Sequence, residues 1–324
     1  MAAVAAPHTY PNQIAVMRDL EPVVADLIRT HEAKRRLWWP TDLLGIQQSE
    51  SPDRYLADLR ERARGIPDPV RISLVMGLIT EEGLPHFHRL IALHMGDHSY
   101  WREWNNLWTA EEDRHGAVLH DYLWEARILD TRALEEIQFN YIRNGFHPDW
   151  SLNPYRLLVY TSLQERATQV AHANNGKRGG EYDPLLASIL ERVATEEARH
   201  FHFYRTAFSE IIKRGPNDAL EAIRHVIGSF EMPGASMPGF REMTDVIRRA
   251  NLYGPRDFLR ILEEQIEHWG LRGLTGLSPE GRERLESILA FPARFRRLVE
   301  RMEARATART YEFDVVFRRE FSIE

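Results

Sequence analysis

The tetrad Glu-x-x-His occurs twice in this 324-residue chain, as Glu112–His115 and Glu197–His200. Residues three apart on an α-helix share a face about one turn apart, so each tetrad can aim one carboxylate and one imidazole at the same point. A chain of this length holds on the order of one such tetrad by chance, and a single copy would say little. Here each copy follows a further embedded glutamate at nearly the same distance. Glu81 lies 31 residues before Glu112, and Glu165 lies 32 before Glu197. The pattern reads as a two-helix unit used twice.

The surrounding periodicity is helical. Apolar residues recur at helical spacing over 14–34, 68–95, 101–127, 153–175, 184–212, 217–230, 256–268 and 279–308. Breakers separate these runs, among them Gly65-Ile66-Pro67, Gly145 to Pro148, Asn174-Asn175-Gly176, Gly215-Pro216 and Pro233-Gly234. Only Tyr311 to Phe321 suggests a strand or extended tail. The expectation is one all-α domain over residues 1–324, with a flexible N-terminal end of about a dozen residues. A glutamate from each of two helices plus Glu-x-x-His from each of two others is the ligand set of ferritin-like di-metal carboxylate bundles. Four carboxylates and two imidazoles neutralise two divalent cations and suit iron, manganese or non-thiolate zinc. Without cations, four buried acids would be prohibitively costly. Taken singly, each of these residues could be an ordinary surface charge or a packed histidine.

Composition narrows the chemistry. The chain has no cysteine, which excludes disulfides, cysteine nucleophiles, thiolate zinc and cysteine-ligated iron–sulfur clusters. Its net charge of −6 argues against a general nucleic-acid binder. Lys34-Arg35-Arg36 and Arg294, Arg296, Arg297 and Arg301 form local basic clusters, either solvated helix faces or docking sites for an acidic partner. No apolar run approaches the roughly 18 residues a membrane span requires, and residues 1–11 lack the pattern of a signal or transit peptide. A cytoplasmic protein is expected. His86, His88, His94, His98, His202 and His225 lack a second matching set and read as packing residues.

Several segments resemble one known family, the soluble acyl-acyl-carrier-protein (acyl-ACP) desaturases of plant plastids and actinobacteria. They are Ile79 to Pro85 (ITEEGLP), Trp108 to Gly116 (WTAEEDRHG), Tyr160 to Thr168 (YTSLQERAT) and Glu196 to His200 (EEARH). The likeness continues through Met232-Pro233, Leu274 to Ser278 (LTGLS) and Pro292 to Arg301 (PARFRRLVER), covering nearly everything from about Trp38 onward.

The resemblance implies a ferritin-like four-helix bundle with a di-iron core inside a larger helical domain. It implies Glu81, Glu112, His115, Glu165, Glu197 and His200 as iron ligands, with Thr168 beside the oxygen site. Trp38, Trp108 and Glu196 match a network toward the surface, although Glu196 replaces the family's usual aspartate. Leu90, Leu93, His94, Pro148 and Leu157 are placed along a substrate tunnel, where Leu157 replaces a glycine and His94 an apolar residue. The implied activity is O2-dependent insertion of a cis double bond, Δ9-like, into an acyl chain on acyl carrier protein. Ferredoxin would supply electrons, and a homodimer is implied. A ferritin is shorter and needs no acyl tunnel, and a ribonucleotide reductase subunit usually starts its ligand set with aspartate. A hydroxylase of a carrier-bound chain and a non-catalytic acyl-ACP-binding relative remain as alternatives.

Overall fold

The structure is a computed structural model that describes residues 11–96, 99–148 and 153–324. The expected flexible N-terminal end thus falls almost wholly outside the described residues, as does His98. Fourteen α-helices are present among the described residues: α1 (Pro11–Asp19), α2 (Glu21–Lys34), α3 (Pro40–Leu43), α4 (Pro52–Arg64), α5 (Asp68–Glu82), α6 (Leu84–Met95), α7 (Ser99–Ala126), α8 (Thr131–Asn144), α9 (Pro154–Gly179), α10 (Pro184–Arg214), α11 (Pro216–Gly228), α12 (Phe240–Arg249), α13 (Pro255–His268) and α14 (Pro279–Ala304). A small antiparallel pair, β1 (Arg309–Tyr311) with β2 (Phe321–Ile323), follows.

Four of these helices close on one another. α5 packs on α7 and α9, and α10 packs on α7 and α9, which makes a four-helix bundle. The all-α, ferritin-like expectation holds. The long helices start at a repeated signal in which a capping side chain precedes proline. Asn153 accepts from the backbone N–H groups of Tyr155 and Arg156, Asp183 from that of Leu185, and Ser278 from that of Gly281, each just before Pro154, Pro184 and Pro279. The cap satisfies an orphan donor and proline fits the first turn, where its missing N–H costs nothing. Asp183 is fully buried and also accepts from Tyr122 Oη at 2.9 Å and Arg62 Nε at 3.0 Å, tying α10 to α7 and α4.

Two expected helices are interrupted. The run 68–95 divides into α5 and α6 because Pro85 has no N–H and its ring would clash with the carbonyl of Glu81, four residues back. Gly83 occupies the break, where a Cβ would lie 2.6 Å from Tyr141 Oη on α8. The run 14–34 divides likewise into α1 and α2, with Pro22 in the first turn of α2. α3, α4, α8 and α12 were not foreseen. The tail is mostly irregular, with its short strands at the two ends of the segment read as strand-like.

Candidate metal centre

Each bundle helix brings its predicted residues inward. Glu81 comes from the last turn of α5, Glu112 and His115 from α7, Glu165 from α9, and Glu197 and His200 from α10; all six are buried. Their donor atoms fall into two groups, each within 4.8 Å: Glu81, Glu112, His115 and Glu197, and Glu112, Glu165, Glu197 and His200. Glu112 and Glu197 belong to both. His115 Nδ1 stands 3.3 Å from Glu197 Oε1 and 3.8 Å from Glu81 Oε2. His200 Nδ1 stands 2.8 Å from Glu112 Oε1 and 3.5 Å from Glu165 Oε2.

Several inward atoms lack a proper hydrogen bond: Glu112 Oε1, His115 Nδ1, Glu165 Oε2, Glu197 Oε1 and His200 Nδ1. Buried polar atoms are rarely left so, and five converging on one point fit a pair of cations. Burial pushes the Glu81 and Glu165 carboxyls well above the usual range, and neighbouring carboxylates add to it. Burial alone would lower His115 and His200; the surrounding carboxylates outweigh it and raise both. The donors are nitrogen and oxygen in the proportions that suit divalent iron or manganese.

The outer face of each histidine is fixed as well. His115 Nε2 meets Glu196 Oε2 at 3.1 Å, and His200 Nε2 meets Glu111 Oε2 at 2.8 Å. A carboxylate on the far nitrogen sets the tautomer that leaves Nδ1 free to ligate and raises its basicity.

The sequence model of the family described as fatty acid desaturase matches residues 12–317. This chain belongs to that family. Among its relatives, the chloroplastic stearoyl-ACP 9-desaturase of Gossypium hirsutum is 31% identical, aligned over 97% of this chain and 83% of the relative. The chloroplastic palmitoyl-ACP 4-desaturase 3 of Ophrys sphegodes is 31% identical over 96% and 82%. The fold matches a solved structure titled putative acyl-ACP desaturase DesA2 from Mycobacterium tuberculosis H37Rv. The TM-score is 0.62 at 21% identity, covering 83% of this chain and 99% of that one.

In this desaturase-family chain, the remaining predicted residues divide. Thr168 Oγ1 lies 2.9 Å from Glu197 Oε2 and within reach of two carbonyls of its own helix, with one proton to give. Trp108 Nε1 donates to Glu165 Oε1 at 3.1 Å. The Trp38 ring lies parallel to that of His115, 6.4 Å away, and Arg114 covers it. Glu196, fully buried, accepts from Arg114 and Arg199 besides meeting His115.

A cavity of about 1720 Å³ opens onto the centre, with Glu81 and Thr168 in its wall. Of the five predicted tunnel residues only Pro148 lines it. The other four stand elsewhere. Leu157 is fully buried in the apolar core, and Leu90 packs against that core from its edge. Leu93 is 54% exposed, and His94 Nδ1 bonds the carbonyl of Leu90 in its own helix. A leucine at position 157 fills space that a glycine would leave, and the void lies instead beside α5, α9, α12 and α14.

Three neighbours of the centre went unnoticed in the sequence. Glu111 precedes Glu112 as Glu196 precedes Glu197, a doublet repeated in both halves that could have been read. His31 on α2 meets Glu111 Oε2 at 2.9 Å, 80 residues away, and no spacing announces it. His172 Nε2 meets Glu81 Oε1 at 3.0 Å. It stands two turns past Glu165 on the same face, a signal that was present. Burial holds the His172 imidazole down at about 4.

Proposed function

We propose that the chain is an acyl-ACP desaturase that inserts a double bond into a saturated acyl chain and holds two iron ions. The observation that carries this reading is the pair of donor groups sharing Glu112 and Glu197 at the inner end of a largely apolar cavity. Glu81 and His115 would hold one iron and Glu165 and His200 the other, with Glu112 and Glu197 between them. The irons supply the redox chemistry by which dioxygen is reduced with two electrons from the acyl chain and two from an external donor.

The chain's own residues govern access and position. Met76, Phe146, Tyr160, Met232 and Phe258 line the cavity and exclude water from the methylene presented at Thr168. Thr168 holds its hydroxyl against Glu197 Oε2, where it can pass a proton to or from that carboxylate. Ferredoxin is the proposed donor. Its electrons have an entry at Trp38, whose exposed neighbour Trp39 adjoins the basic run Lys34 to Arg36. An acidic carrier would dock on α14, where Arg297 and Arg301 carry no ion pair among the described residues while Arg296 is taken by Glu263. No described helix is long and apolar enough to cross a membrane. The reading includes a Δ9-like cis product, a homodimer and a cytoplasmic location, checked by product analysis, sedimentation and fractionation.

Iron-loaded protein with ferredoxin, its reductase and a series of acyl-ACPs tests the central claim by mass spectrometry, with Glu112→Ala as control. A product two mass units lighter, absent in the variant, is expected. A product sixteen units heavier would make the protein a hydroxylase. Failure to take up iron would make it a non-catalytic binding relative.

A further inference from the structure

The cavity wall carries polar groups that the metal centre does not use. Along one face of α9, His172 and Asn175 follow Thr168; across from them on α5 stand Ser73 and Gly77. Asn175 is 3% exposed and donates its Nδ2 to Ser73 Oγ at 2.7 Å. Its Oδ1 meets no partner among the described residues. Turning the amide over exchanges the two atoms and strands the nitrogen instead, so one polar atom stays unmatched either way. Asn174 donates to the carbonyl of Leu252 at 2.8 Å, which brings the adjoining Tyr253 to the same wall. Tyr253 also lines the cavity, and its buried hydroxyl has no partner among the described residues. Ser73 accepts from Asn175 and has its own hydroxyl proton still to give.

Buried amides and hydroxyls are costly to leave unmatched, and here an acceptor and two hydroxyl donors belong to residues lining one cavity. Their complement is a group that both donates and accepts: a secondary amide. We propose that Ser73, Asn175 and Tyr253 hold the amide nearest the thioester in the pantetheine arm that tethers the acyl chain. This rests on the carrier-linked substrate proposed above. The amide N–H donates to Asn175 Oδ1, and its carbonyl accepts from the hydroxyl of Tyr253 or Ser73. Arg241 and Arg294, further along the same cavity and exposed, carry no ion pair among the described residues and suit the arm's anionic end.

The placement also limits where the double bond can fall. Asn175 is seven residues past Thr168 on α9, about 10 Å along the axis. An extended chain advances ~1.2 Å per bond, so at least about eight bonds separate the held amide from the carbon at Thr168. Four of them belong to the link between amide and thioester carbon. The first carbon within reach is about C5, and a bent path moves the reacting bond further from the thioester.

The test compares two ligands by calorimetry on the protein as purified, with no electron donor present: palmitoyl-pantetheine and S-ethyl palmitothioate, which lacks the amide. Wild type is expected to prefer the first by about tenfold. Asn175→Leu should cut the preference to about twofold or less while leaving S-ethyl palmitothioate binding unchanged. Tyr253→Phe, which removes a single oxygen, provides a second variant should Asn175→Leu not fold. Equal preference in wild type and variants overturns the assignment. So does tighter wild-type binding of S-ethyl 3-hydroxypalmitothioate than of palmitoyl-pantetheine, which would give the subsite to an oxygen on the acyl chain. A wild-type olefin closer to the thioester than C5 overturns the ruler. If wild type makes no olefin at all, desaturation fails as the activity, whereas the amide preference still decides the subsite.

Discussion

Loading metal into the metal-free protein at neutral pH should expel protons, and the count follows from the site. Glu81 and Glu165 are pushed well above the usual carboxylate range by burial and by their charged neighbours, which favours the protonated form of each. The carboxylates around His115 and His200 favour the imidazolium form of both, against the effect of burial. Metal binds only carboxylate and neutral imidazole, so these four groups release up to four protons for two metals. The logarithm of the overall two-metal affinity then rises by up to about four per pH unit near neutrality. Anaerobic calorimetric titration with ferrous iron at pH 7, in two buffers of different ionisation enthalpy, gives the count directly. Release of fewer than one proton per metal pair would refute the assigned protonation states. The same shifts set the pH dependence of the metal-free fold. Above the ordinary values of ~4.3 for glutamate and ~6.5 for histidine, the folded state binds more protons than the unfolded chain, so stability falls as pH rises. The metal-free protein should therefore unfold at lower urea concentration at pH 8 than at pH 6.

Three further outcomes are expected. Asp183→Ala strands the buried Tyr122 hydroxyl and removes the cap of α10, and should cost about 2–4 kcal/mol in urea unfolding. Leu157→Gly opens a hole in a fully buried position; it should cost about 3–5 kcal/mol and raise turnover of C18 relative to C16 acyl-ACP, and an unchanged ratio would show that Leu157 does not limit chain length. Reversing Arg294, Arg296 and Arg297 to glutamate should raise the apparent KM for acyl-ACP about tenfold at low salt, with the difference fading as salt screens the surface.

The six inward residues were legible because a helix repeats its face every three to four residues, and the chain states the pattern twice. Glu111 and His172 were equally available, the one by the repeated doublet and the other by register with Glu165. His31 was not, since it reaches the centre from α2 through tertiary packing alone. The break after Glu82 was written in Pro85, yet the apolar period runs straight through it and hides the stop. Of the five expected tunnel residues, only Pro148 lines the described cavity. A resemblance transfers positions, but whether a position lines a void depends on the volume of the residue there, and Leu157 fills its own.

The centre draws three of its six residues from α5 and α7, and the other three from α9 and α10. Glu112 and Glu197 complete the donor group of the opposite half. Neither half can therefore finish its own site. As the chain leaves the ribosome, α5 and α7 emerge with two carboxylates and an imidazole facing a partner not yet made. The faces they turn toward α9 and α10 stay uncovered until those helices have followed. That interval exposes the nascent chain to aggregation, and it makes late synthesis, rather than early folding, the step at which both donor groups first become complete.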